Sequence, residues 1–160
     1  MSFKFTPENL ERINAEIKKY PKKQSAVMAA LYIAQEQNGY ITTEIMNEIA
    51  QLLDMHPHDV LGVVTFYTMY HQKPMGKYHI QVCTNVSCML RGGYEIWNQV
   101  KDKLGIDHMQ VTSDGKFSLE EVECMGSCGT APMFAINEDY FENLTKEKVN
   151  EIIDSLKNKT

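Results

Sequence analysis

Residues 77–105, KYHIQVCTNVSCMLRGGYEIWNQVKDKLG, decide the reading of this chain. Across Lys77 to Cys83 the residue types alternate. Tyr78, Ile80 and Val82 take one side, and Lys77, His79, Gln81 and Cys83 the other. A period of two predicts a strand with one buried face. Further on the period changes. Ile96, Trp97, Val100 and Leu104 recur at helical spacing and Gly105 supplies a stop, so the strand runs through a cysteine-bearing loop into an amphipathic helix.

Downstream, Phe117 to Val122 reads as another strand. Met133 to Ile136 and Tyr140 to Phe141 fit a hairpin across Asn137 to Asp139. A last helix starts near Thr145, with Val149, Ile152, Ile153 and Leu156 as its apolar stripe. Upstream the pattern is wholly helical. Thr6 and Pro7 open a first helix carrying Leu10, Ile13 and Ile17 until Pro21 breaks it. A second runs from about Lys22 to Asn38 and stops at Gly39; a third starts near Thr42 or Thr43, and a fourth follows Pro57. Thr65 to Tyr70, rich in β-branched and aromatic residues, is expected to be extended. Pro74 and Gly76 punctuate the chain. The reading is therefore a helical N-terminal bundle over residues 1–73 and an α/β domain over residues 74–160.

Hydrophobic residues make up 43% of the 160, enough for a packed core. The net charge of -5 argues against a nucleic-acid surface. Apolar runs such as Val27 to Ala34 fall far short of the roughly 20 residues that a spanning helix needs. The N-terminus lacks the apolar centre of a secretory leader, which predicts a reducing, cytoplasmic setting. No paired carboxylates, nucleophile–base arrangement or phosphate loop stands out, so no catalysis is expected from the chain alone.

The chemistry concentrates in four cysteines: Cys83, Cys88, Cys124 and Cys128. They read as Cys-x4-Cys, then Cys-x3-Cys, each pair placed where a strand gives way to a loop. Two short loops at one end of a sheet can each bring two thiolates to one metal atom, the requirement of an iron–sulfur cluster. Structural zinc usually shows Cys-x2-Cys pairs and a disulfide relay Cys-x-x-Cys. Neither is present, yet zinc, disulfides and free core cysteines stay open on spacing alone. Gly126 and Gly129 flank Cys128, so backbone N–H groups can approach a cluster. Met89 and Met125 adjoin cysteines, as shields or as core filler. His79 shares its face with Cys83 and is expected half-exposed. Glu120, Glu121 and Glu123 precede Cys124 and are expected on a solvated face.

The stretches FYTMYHQKPMGKYHIQVCTNVSCMLRGG and ECMGSCGTAPMFAINEDYFENLT, with their cysteine spacing and surrounding Gly and Ala-Pro residues, resemble one family. This is the thioredoxin-like 2Fe–2S subunit of NADH:quinone oxidoreductase, respiratory complex I. The resemblance implies a thioredoxin-like 2Fe–2S ferredoxin domain behind the N-terminal helices. It implies that Cys83 and Cys88 hold one iron and Cys124 and Cys128 the other. It implies a flavoprotein partner that carries FMN and binds NADH, with the cluster exchanging one electron with that flavin. The complex would be membrane-associated and this subunit peripheral, with no insertion of its own. Equivalent subunits of NAD-linked hydrogenases and formate dehydrogenases carry the same motif, and a zinc-stabilised structural subunit and a thiol–disulfide oxidoreductase on the same scaffold are the remaining alternatives. Pro132, after Ala131 and before a strand, is expected in the cis form common at such points of thioredoxin-like folds.

Overall fold

The computed structural model of the chain describes residues 3–159, so the outer limits expected at residues 1 and 160 lie outside them. By internal contacts the chain divides into two compact units between Pro74 and Met75.

The first unit is helical. Thr6 caps α1, Pro7–Ile17, by accepting from the Asn9 N–H, and Pro7 sits at the first position, where no amide donor is needed. A 3-10 turn, Lys23–Ala26, leads into α2, Val27–Asn38, which Gly39 closes in the left-handed conformation at φ 86°. Thr42 caps α3, Thr43–Leu53, and α4 spans Pro57–Phe66. Ile13, Leu31, Ile45, Ile49, Leu53 and Val60 are fully buried against one another. Two expectations need correction. The second helix starts at Val27 and not at Lys22, because Lys22 is extended and no side chain caps an α-helical start; Ser25 N–H closes a tighter turn on the Lys22 carbonyl at 3.1 Å. Thr65 to Tyr70 is not extended. The Thr65 hydroxyl donates back to the Leu61 carbonyl at 2.9 Å and keeps Thr65 and Phe66 in α4, and a turn from Tyr67 to Tyr70 follows. Helical bonding has overridden β propensity where no neighbouring strand is offered.

The second unit is built on five strands: β1 Tyr78–Cys83, β2 Gln110–Val111, β3 Phe117–Val122, β4 Phe134–Ile136 and β5 Asp139–Phe141. Their order is β2-β3-β1-β4-β5. Only β1 and β3 are parallel, in register from Tyr78–Phe117 to Cys83–Val122. The crossover between them carries α5, Val86–Leu90, and α6, Gly93–Leu104; α7, Lys146–Lys157, closes the chain. Ile96, Trp97 and Val100 of α6 and Val149 and Ile153 of α7 share one core with Ile80, Val82, Leu119 and Phe134. The Ala131–Pro132 peptide is cis, as expected.

The opposite set of β1 and β3 side chains departs from the alternation rule. His79 and Glu120 are buried, at 6% and 7% exposure, where a half-exposed histidine and a solvated glutamate were expected. The parallel register sets His79 beside Ser118 and Gln81 beside Glu120. His79 Nδ1 lies 2.8 Å from Ser118 Oγ and Nε2 lies 2.9 Å from Glu120 Oε2. Gln81 Nε2 donates to the same Glu120 oxygen at 2.9 Å. Mutual hydrogen bonding offsets the desolvation that would otherwise keep these groups at the surface.

Gly76 opens this unit. Its N–H donates to Ser118 Oγ at 3.0 Å, and a Cβ there would fall within van der Waals distance of the Phe117 backbone. Gly76→Ala is expected to destabilise the second unit by about 1–3 kcal/mol, read as a lowered denaturant midpoint at unchanged slope. An unchanged midpoint contradicts the close approach.

Candidate metal centre

The parallel pairing of β1 and β3 sends both chains out at the same end of the sheet. Cys83 is the last residue of β1, opposite Val122, the last of β3. Cys124 follows two residues on. Thr84 N–H donates to the Val122 carbonyl at 3.3 Å, and the Thr84 hydroxyl to Glu121 Oε1 at 2.7 Å, so the two exits stay joined beyond the strands. The Cys83 thiol points to the Glu123 carbonyl, 3.6 Å away.

After Cys83 the chain turns at Asn85, whose side chain accepts from the Val86 N–H, and enters α5 with Cys88 at its centre. Gly92, left-handed at φ 88°, then swings the chain into α6. Gly93 lets the start of α6 pass close over both ligand-bearing segments. A Cβ there would lie 2.9 Å from the Cys88 carbonyl and 3.1 Å from the Cys83 oxygen. Sequence reasoning missed this residue, although the Gly92–Gly93 doublet marks it.

The four thiols form two environments. Cys83 and Cys88 are buried, at 3% and 2% exposure, and pack with Ala131 and Met133 beneath Val122 and Met125. Cys124 and Cys128 are exposed. The Cys124–Cys128 loop turns at Gly126, φ 79°, whose N–H donates to Cys124 Sγ at 3.4 Å. Cys128 begins a 3-10 turn, Cys128–Thr130, that leads to the cis proline, and Cys83 N–H returns to the Met133 carbonyl at 3.3 Å. Burial first, then the neighbouring Cys83 thiol, pushes the Cys88 thiol up to about 11, and Cys128 acts in the same direction. Cys88 thus feels one cysteine of its own pair and one of the other.

Among the described residues no three His, Cys, Asp or Glu side chains are gathered closely enough to hold a metal ion. A two-iron cluster needs two pairs of thiolates, one pair per iron. The donors here suit it: four thiols from two adjoining loops, a floor of Ala131 and Met133, and an amide already bonded to sulfur. Of the flanking methionines, Met125 packs on this floor, whereas Met89 is half-exposed in a groove of about 510 Å³ beside the site. His108 reaches that groove and accepts from the Glu121 N–H at 3.0 Å.

A family model described as "Thioredoxin-like [2Fe-2S] ferredoxin" matches residues 13–157. An NADH-quinone oxidoreductase subunit of Rickettsia bellii is 47% identical, over 98% of this chain and 96% of its own length. "NADH dehydrogenase [ubiquinone] flavoprotein 2, mitochondrial" of Dictyostelium discoideum is 42% identical, over 98% of this chain and 64% of its own length. Among solved structures, an NAD+-reducing [NiFe]-hydrogenase superposes with a TM-score of 0.74 at 20% identity, covering 84% of this chain and 22% of that one. At that identity the likeness is one of fold.

In the reduced, metal-free chain, limiting iodoacetamide at pH 8 is expected to alkylate Cys124 and Cys128 first and Cys88 last. A thiol with a raised pKa stays protonated at that pH, and the thiolate is the nucleophile. Peptide mass spectrometry reads the order. Equal rates at all four cysteines contradict the buried and exposed pairs.

Proposed function

The chain belongs to the thioredoxin-like [2Fe-2S] ferredoxin family, and we propose that it is the electron-carrying subunit of an NADH:quinone oxidoreductase. Its likeness to the Rickettsia bellii oxidoreductase subunit is one of sequence along nearly both whole lengths, while that to the hydrogenase is one of fold. The observation that carries the reading is that Cys83 ends β1 opposite Val122, two residues before Cys124, while Cys88 lies near enough to feel both Cys83 and Cys128.

In this reading Cys83 and Cys88 hold one iron, and Cys124 and Cys128 the other. The bound cluster supplies a site that accepts and returns one electron. The rest is done by the chain. Ala131 and Met133 keep water from the buried pair. The Gly126 N–H offsets negative charge at Cys124 Sγ. The half-buried carboxylate of Glu121, already accepting from Thr84, adds negative charge at one flank and disfavours an added electron. FMN and NADH belong to a flavoprotein partner, with which the cluster exchanges its electron, and turnover belongs to the assembly.

No helix among the described residues is long and apolar enough to cross a membrane. In the same reading the subunit takes a peripheral, cytoplasmic place in a membrane-associated complex.

Co-expression with the FMN-binding subunit of the same organism's NADH:quinone oxidoreductase tests this. The expected result is a stable pair whose 2Fe–2S absorption is lost in Cys83→Ala and in Cys124→Ala. An intact cluster spectrum in either variant overturns the ligand assignment, and failure of the wild-type chain to co-purify overturns the partner.

A further inference from the structure

The two cysteine pairs are held by different means, and the difference assigns a role to residues outside the cysteine motifs. Burial fixes the inner pair, Cys83 and Cys88. The outer pair is exposed and has no such packing. We propose that Tyr140 and Glu142, on β5 and just beyond it, are positioning residues for the outer pair. The proposal rests on the reading that Cys124 and Cys128 are cluster ligands.

The hydrogen bonds are explicit. The Tyr140 hydroxyl donates to the Met125 carbonyl at 2.9 Å, next to Cys124. Glu142 Oε1 accepts from the Thr130 hydroxyl at 2.7 Å and from the Ser127 hydroxyl, next to Cys128. The two hydroxyls lie 2.7 Å apart, so one carboxylate oxygen gathers both. Backbone bonds continue the seam: Asn143 N–H donates to the Thr130 carbonyl at 2.7 Å and Leu144 N–H to the Pro132 carbonyl at 3.0 Å. Residues 140–144 therefore run beside residues 125–132 and bind them through two side chains and two amides.

The side-chain bonds do what the backbone bonds do not. The amides hold the loop only from Thr130 onward, past Cys128. Between Cys124 and Cys128 the attachments running from the hairpin are Tyr140 and Glu142. Without them this exposed loop samples more conformations, and each cluster opening at Cys124 or Cys128 is followed by slower reclosure. A hydroxyl-to-carboxylate bond is charge-assisted and stronger than the neutral Tyr140 bond, so Glu142 carries the larger share.

The full chain, loaded with its cluster anaerobically, tests this in four forms: wild type, Tyr140→Phe, Glu142→Ala and Glu142→Gln. The measured quantity is the first-order loss of visible absorption in excess chelator, with the EPR spectrum of the reduced protein and the melting temperature of the metal-free chain alongside. Loss is expected to quicken about tenfold in Glu142→Ala and about threefold in Tyr140→Phe. Glu142→Gln, whose neutral side-chain carbonyl still accepts but without charge assistance, is expected between Glu142→Ala and wild type, and the metal-free melting temperature close to constant. Wild-type rates in both Glu142→Ala and Tyr140→Phe, with two irons and two sulfides in the wild type, overturn the proposal. So does a faster loss matched by an equal fall in metal-free stability, since that is hairpin packing alone. A wild-type chain that never takes up iron overturns instead the ligand assignment beneath it.

Discussion

The parallel pairing of β1 with β3, in register to Cys83 and Val122, is the constraint on which the site depends. Two antiparallel strands leave a sheet at opposite ends. Two parallel ones leave at the same end, so two loops 35 residues apart in sequence, between Cys88 and Cys124, become neighbours. Parallel pairing needs a crossover, and α6 provides it while laying Ile96, Trp97 and Val100 into the core. The helix that makes the topology possible also fixes Cys88, because Gly93 at its start touches the Cys88 and Cys83 backbones. Shifting β3 by one residue would turn the Ser118–Glu120 face away from His79 and leave buried polar groups unsatisfied. That polar network therefore guards the register that joins the loops.

The site is asymmetric for a physical reason. One pair of thiols is reached through the core and the other lies on a surface loop. Burial makes Cys88 costly to ionise, and metal binding there must release its proton. The outer pair is accessible but loosely held, and the β4–β5 hairpin compensates through hydrogen bonds rather than burial. An electron carrier gains from this division. In the proposed reading the buried side limits solvent at the cluster, and the exposed side leaves the outer pair open to a partner.

Much of this was legible in the residues. Alternation marked β1, helical spacing marked α6 and α7, and the cysteine spacing with its glycines pointed to a cluster between two loops. What stayed hidden needed distant residues to meet. Nothing near His79 signals that Ser118 and Glu120 will flank it, since only the parallel register brings them together. Tyr140 and Glu142 read as ordinary hairpin residues until the fold sets them beside Met125 and Ser127. Thr65 to Tyr70 misled because β-branched and aromatic types favour strands only where a neighbouring strand exists. The 3-10 entry to α2 turned on the extended Lys22, which composition does not reveal.

Iron and acid-labile sulfide content, with EPR of the dithionite-reduced chain purified without oxygen, decides whether the four cysteines carry a 2Fe–2S cluster. A 2Fe–2S cluster on these cysteines gives two irons and two sulfides per chain and a single one-electron paramagnetic signal. One zinc per chain with no sulfide, in material never exposed to air, would contradict it and leave the four cysteines as a structural metal site.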